Sequence, residues 1–295
     1  MRVNPDPSND ILAALTRTQQ EQERAAIQLA SGRRVSVPSD DPAAAAAMVD
    51  NQARSAETDQ FVHSISTITA LQQTADSTLS SVVSALTRAI NLGVQGSTGT
   101  LSDANRQSLA EELRGIKQQL LSLANLSFQG SYVFAGTATQ TQPFVADAST
   151  PSGVRYDGNQ GVNRVTIGDG FQVAMNQPGS DIFTAPGADV FQSVQDMINA
   201  LESNGDVGAT VVSVRAAFDH VSAERVFYGN TLNQMDAQET FLKSEQLQLA
   251  SQQNSLVGVD LAEAASRLAN ATGARNAAVT AVGKMSQMSL FDYLT

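Results

Sequence analysis

From Phe61 to Ala89 the apolar positions recur in alternating steps of four and three: Phe61, Ile65, Ile68, Gln72, Ala75, Leu79, Val82, Leu86 and Ala89, with Gln72 the one polar member. Such spacing places one apolar stripe along a single helix. The helix is expected to begin near Pro42, because Ser39, Asp40 and Asp41 offer side-chain oxygens for its first amides and proline is tolerated at the first helical position. It should end near Gly93, Gly96 and Gly99. At a rise of 1.5 Å per residue that is a rod on the order of 80 Å long, more than a compact domain needs.

A second helix should follow Ser102 and Asp103, with Leu109, Leu113, Ile116, Leu120 and Leu123 on one face. The short Gly-Ser-Thr turn before it implies an antiparallel hairpin with the first rod. Farther along, Val190, Val194, Met197 and Leu201 mark a short helix. A second long stripe then runs through Val211, Val214, Phe218, Val221, Arg225, Tyr228, Leu232, Met235, Glu239, Leu242, Gln246, Leu249, Gln253 and Leu256. Two rods with matching stripes, one from each half of the chain, are expected to pack on each other. The rod core is assigned to Phe61, Ile65, Ile68, Leu79, Val82, Leu86, Phe218, Tyr228 and Leu232.

The two ends are helix-forming as well but poorer in large apolar residues. Ile11 to Leu29 and Leu261 to Met288 consist mostly of Ala, Gln, Glu, Ser and Thr, and neither contains proline. In the second, the register Ala264, Leu268, Ala271, Arg275, Ala278, Val282 and Met285 holds small residues and one charge. At roughly 25 cal/mol per Å² of buried apolar surface, such a stripe offsets little of a backbone ordering cost of about 1–2 kcal/mol per residue. The ends should therefore need partners, and residues 1 to about 40 and about 257 to 295 should be ordered only in an assembly. The assembly contacts are assigned to Leu15, Leu29, Leu261, Leu268 and Val282, together with the apolar tip Leu290, Phe291, Tyr293 and Leu294.

Between the helices, from about Gly130 to Pro186, the composition changes. Pro143, Pro151, Pro178 and Pro186 are half of the chain's 8 prolines, so a helix cannot persist there. Val154 to Tyr156, the turn Asp157-Gly158-Asn159, Arg164 to Ile167, the turn Gly168-Asp169-Gly170 and Phe171 to Val173 read as hairpin strands joined by glycine-containing turns. The expected fold is mainly α with a small β insert: long antiparallel helical rods of coiled-coil character formed by both chain halves, and an inserted β-rich outer domain. Residues 1–41 and 257–295 would form a terminal assembly domain, 42–135 and 189–256 the rod domain, and 136–188 the insert.

Composition removes most alternatives. The 295 residues include no cysteine, which excludes disulfides, thiolate metal sites and cysteine nucleophiles. A formal net charge of −11 opposes binding to nucleic acid, which relies on clustered Lys and Arg. No stretch approaches the ~18 apolar residues of a membrane span, and the N-terminus has no secretory signal pattern. His63 and His220, the only histidines, read as ordinary helix residues. Gly168-Asp169-Gly170 lacks the rest of a dinucleotide loop, and Asp157-Gly158-Asn159 lacks the downstream Glu of a calcium loop. Both are better explained as turns, and Asp40-Asp41 as a helix cap. No catalytic, cofactor-binding or metal residues are assigned, and no enzyme is expected.

Certain segments carry a family resemblance. Leu29-Ala30-Ser31-Gly32-Arg33-Arg34, followed by Pro38-Ser39-Asp40-Asp41-Pro42-Ala43, resembles the N-terminal signature of flagellins and flagellar hook-associated proteins. Pro42, where flagellins usually have alanine, tilts toward the hook-associated branch. Gly99 to Asp103, Gly130 to Thr137, Pro143-Phe144, Val259 to Ala264 and Ser289 to Leu294 are similar to its hook-filament junction type, the third hook-associated protein. That resemblance implies termini paired in an inner tube, long helices in the next layer and the β insert facing outward. It implies copies of the chain in a ring, the first hook-associated protein on the hook side and flagellin on the filament side. It also implies a cytoplasmic export chaperone and a type III export apparatus before secretion, and an extracellular place at the hook-filament junction. A flagellin filament subunit and, from another class, a secreted coiled-coil effector or binding module remain the alternatives.

Overall fold

The computed structural model describes residues 7–98 and 101–292. The elements in chain order are helices α1 (Pro7–Ser31), α2 (Pro42–Gly96) and α3 (Asp103–Ala124), strands β1 (Ser127–Phe128), β2 (Ser131–Tyr132), β3 (Phe144–Ala146), β4 (Val154–Tyr156), β5 (Arg164–Gly168) and β6 (Phe171–Ala174), then helices α4 (Gly179–Phe183), α5 (Val190–Ser203), α6 (Val207–Val257) and α7 (Leu261–Asp292). They fall into two compact units, one comprising residues 1–57 and 245–295 and the other residues 58–244. The fold is mainly α with a few small antiparallel strand pairs, as the stripes predict.

In the second unit the stripes are buried. Ile65, Ile68, Gln72, Ala75, Leu79, Val82, Leu86 and Ala89 of α2 are inside, as are Val211, Val214, Val221, Tyr228, Met235 and Leu242 of α6, while Phe61, Phe218 and Leu232 are half-buried. Arg225 of α6 donates to both oxygens of Asp76 on α2, at 2.9 and 3.1 Å, and the Thr69 hydroxyl meets Met235 Sδ at 3.8 Å. The two contacts run in opposite sequence directions, so these stretches of helix are antiparallel. Helix α3 starts where its cap residue predicts, with Ser102 Oγ accepting from the Asn105 amide at 3.3 Å. Its Leu109, Leu113, Ile116 and Leu120 join the same apolar cluster as Leu79 and Leu86 of α2 and Met197 and Leu201 of α5.

Gly93 does not end α2. A Cβ there would lie 2.6 Å from Met197 Cε and 2.7 Å from Val211 Cγ2, so the missing side chain lets α5 and α6 come close to α2. The helix ends one turn later, at Gly96.

The β segment forms three separate two-stranded hairpins. Strands β5 and β6 pair across Gly168-Asp169-Gly170 as expected, with an irregular register between Thr166 and Gly168. Strand β4 does not pair across the Asp157-Gly158-Asn159 turn. It pairs back onto β3, with Phe144 opposite Tyr156. Asn159 explains the difference: its amide donates to Ala135 O at 3.1 Å, and its Oδ1 accepts from the Thr137 amide at 2.8 Å. These bonds hold the turn against the loop at 135–137, away from β5. The Phe144 ring lies 5.0 to 5.4 Å from those of Tyr156, Phe183 and Phe191, and Phe134 stands edge-on to Phe183 at 5.3 Å. These phenylalanines belong to the apolar cluster of the helices.

Candidate assembly site

The first unit is built from the chain ends, and its side chains divide in an unusual way. Helices α1 and α7 pack along each other through alanines: Ala25, Ala264 and Ala271 are 3%, 1% and 6% exposed. Several larger aliphatics point outward, with Leu12 at 53%, Ile27 at 55%, Leu261 at 57% and Val279 at 52% exposure. Burying a methyl is worth about 0.8 kcal/mol, against about 1.5–3 kcal/mol for a whole leucine or isoleucine side chain, so the fully buried groups of the pair are the weaker ones and several of the stronger ones face out. A groove of about 550 Å³ lies between the two helices, lined by Ala25 and Ala271 together with Glu21, Arg24, Gln28 and Arg267. Arg275 of α7 donates to Gln22 of α1 at 3.4 Å.

Of the residues assigned to assembly, Leu15, Leu268 and Val282 are half-buried, and Leu29 and Leu261 are exposed. The side chains of Leu290 and Phe291, and the whole of Tyr293 and Leu294, lie outside the described residues. Of the two histidines, His63 is exposed on α2, and His220 on α6 places Nε2 2.6 Å from the Asp181 carbonyl oxygen. No cluster of His, Cys, Asp or Glu that could hold a metal is found among the described residues.

The chain crosses between the terminal helices and the long ones at two places, and the two crossings are bonded to each other. The α1–α2 crossing contains Gly32, whose φ of +68° favours glycine and whose amide closes α1 by donating to Gln28 O at 2.9 Å. The Arg34 amide then donates to Val257 O at 2.7 Å, and the Val259 amide to Gly32 O at 3.1 Å, forming an antiparallel bridge between Arg33 and Gly258. The Arg34 guanidinium spans the joint, donating to Leu256 O at 3.0 Å and to Asp41 Oδ2 at 3.1 Å.

Asp41 also caps α2, its Oδ1 accepting from the Ala44 amide at 3.0 Å, while Asp40 Oδ2 accepts from the amides of Ser36 and Val37 at 3.0 and 3.1 Å. The Ser36 amide chiefly holds the Asp40 carboxyl below its usual range; for Asp41 the Ala44 amide dominates, followed by Arg34. On the return crossing Asp260 caps α7, accepting from the amides of Ala262 and Glu263 at 2.9 and 3.2 Å. Beneath the joint Val35, Ala44 and Val257 form a small apolar cluster of their own. Asp41 is thus a cap of α2, as its place before Pro42 suggests, whereas Asp40 instead ties down the loop at 36–37. The reach of Arg34 and the capping by Asp260 were not read from the sequence, because the first depends on a residue 222 positions away and the second sits in a motif noticed only for its resemblance.

Known proteins resemble this chain in sequence and fold. The family model for the bacterial flagellin N-terminal helical region matches residues 6–139, and that for the C-terminal helical region matches residues 211–294. Flagellar hook-associated protein 3 of Escherichia coli is 28% identical over 306 residues, covering 95% of each chain. A flagellin of Listeria monocytogenes is 30% identical over 193 residues, 63% of this chain and 64% of the relative. Among solved structures, a flagellar hook-associated protein from Vibrio parahaemolyticus superposes with a TM-score of 0.69 at 20% identity, covering 74% of this chain and 100% of the other. Both family models fall on the paired helical ends and the long helices that follow from them, and on that ground the chain belongs to the bacterial flagellin family, as a structural protein of the flagellum and not an enzyme.

Proposed function

We propose that this chain is the subunit of the hook-filament junction, forming a ring of its own copies between the first hook-associated protein and the flagellin filament. The observation that carries the reading is the terminal pair, which buries alanines within itself and turns Leu12, Ile27, Leu261 and Val279 outward. A lone subunit gains nothing from that display, whereas neighbouring copies covering it would regain about 1.5–3 kcal/mol for each side chain. The similarity to hook-associated protein 3 over 95% of both chains supports the junction position within the flagellum. In this reading residues 1–41 and 257–295 form the inner layer, 42–135 and 189–256 the rod layer, and 136–188 the outward insert. An export chaperone and the type III apparatus would handle the chain before secretion.

A filament-subunit reading is favoured by the similarity to Listeria flagellin. One experiment separates the two and tests both. Ile27→Asp with Val279→Asp should leave the monomer's melting temperature within about 1 °C of the parent, because neither side chain is buried in it. Cells carrying the double variant should release flagellin into the medium and lose motility. Normal filaments grown from the variant would remove the terminal pair from assembly, and long filaments formed by the purified parent protein alone would favour the filament subunit.

A further inference from the structure

The sequence contains a single Asn-Gly pair, Asn204-Gly205, and it stands in the exposed connection from α5 to α6. Asparagine followed by glycine is chemically labile, because no Cβ on the second residue crowds an attack by its amide nitrogen on the asparagine side chain. The Gly205 nitrogen gives up its proton to hydroxide and forms a bond to Asn204 Cγ. The Cγ–Nδ2 bond breaks, and ammonia leaves after taking a proton from water. A second water then opens the five-membered imide on either side, leaving aspartate or isoaspartate. Packing does not force a glycine here: a Cβ at Gly205 would meet nothing nearer than Ser203 Oγ at 3.4 Å.

The local geometry opposes that closure in two ways. Asn204 is the C-cap of α5, in the left-handed conformation with φ +54° and ψ +37°. With that ψ the Gly205 nitrogen lies nearly opposite Asn204 Cβ about the Cα–C bond, whereas ring closure needs the two on the same side. The proton that must be removed is also engaged. The Gly205 amide donates to Ala200 O at 2.8 Å, and the Asn204 amide donates to the same carbonyl. Both neighbouring helices anchor the pair: Leu201 of α5 is 1% exposed and Val207 of α6 is 5% exposed, and Asp206 caps α6 through the Ala209 amide at 3.0 Å. Attack therefore requires the end of α5 to open first.

We propose that Asn204 is a spontaneous deamidation site latched by the α5 C-cap: it converts only when the end of α5 opens, and conversion makes the opening permanent. Isoaspartate adds a carbon to the backbone between residues 204 and 205, so the two amides no longer reach Ala200 O together. Either product also sets a negative charge at the negative end of a helix dipole, in a stretch that already holds Glu202 and Asp206. The test follows residue 204 by peptide mass mapping of the full chain held in mildly alkaline buffer, folded and in urea. Conversion in the folded chain should be at least about tenfold slower than in urea, because it tracks the open population. Ser203→Gly removes the hydroxyl that donates to Asn199 O at 2.7 Å and weakens the last turn, so it should raise the folded-state rate about two- to threefold. Gly205→Ala should hold the pair unconverted in the folded chain, and the isolated isoaspartate form should melt below the parent. No conversion in urea overturns the site. Equal rates folded and unfolded, a folded-state rate unmoved by Ser203→Gly, or an isoaspartate chain that melts with the parent overturns the latch.

Discussion

The second unit and the terminal pair obey the same helical period but differ in what they put at it. Around α2, α3, α5 and α6 the period selects Leu, Ile, Val, Phe and Met, and nearly all are fully buried. Between α1 and α7 the fully buried positions are Ala; Leu15, Leu268 and Val282 are only half-buried, and Leu12, Ile27, Leu261 and Val279 fall on the outer faces. Periodicity thus establishes that a segment is helical, while side-chain volume at the periodic positions establishes whether the helix is held within its own chain. Since cohesion per position scales with buried apolar area, the two regions should respond to the same kind of substitution with different size and even different sign.

The sharpest way to break this comparison is truncation in the second unit. Leu79→Ala or Leu86→Ala should cost about 2–5 kcal/mol of stability in urea or thermal melts, because both side chains are fully buried. A cost near that of a surface change, about 0.5 kcal/mol, would mean the packing there is as loose as at the ends. Glycine offers a contrast of sign. In α2, Gly93→Ala gains about 1 kcal/mol of helix propensity, yet its Cβ must displace Val211, at a cost of about 1–3 kcal/mol, and net destabilisation is expected. In α7, a Cβ at Gly273 meets nothing within 4 Å, so Gly273→Ala should raise the helix content of the isolated monomer by circular dichroism. Similar outcomes at the two glycines would erase the distinction.

The smallest effect expected is a pH response of the joint. Asp40 and Asp41 are held below the ordinary carboxylate range by backbone amides, and Asp41 also by Arg34. Their folded-state values lie below the unfolded ones, so the stabilisation is fully present above the unfolded value near 3.9 and is lost as pH falls through the lower folded values. Asp41→Asn should lower stability slightly at neutral pH and flatten the acid side of the profile, so that variant and parent converge as the pH falls below about 4, read from melts across the range.

Most of the helical architecture was legible because its signal is local. The four-three stripe from Phe61 to Ala89 anticipates the burial of Ile65, Ile68, Leu79, Val82 and Leu86, and even that of Gln72. What Gln72 would bond to was not legible, since the carbonyls of Ala174 and Met175 lie about a hundred positions along the chain and carry no side-chain signature. Strand β4 misled for the same reason: a glycine turn stood directly after it, whereas β3, its actual partner, stood across a loop whose shape depends on Asp147 accepting from the Ser149 amide at 2.9 Å. At the assembly site, small residues announced a weak interface, yet only coordinates could assign Leu12 and Ile27 to the outer face.

The bonded crossings have a mechanical consequence. Because the Arg34 amide grips Val257 O and the Val259 amide grips Gly32 O, a pull or twist on either end of the chain reaches the joint as a load on both passages at once. The two backbone bonds and the Arg34 side chain share that load in parallel, and neither helix of the pair can slide along the other without breaking all three. The joint thereby acquires a two-ply coupling from a chain that is everywhere a single strand.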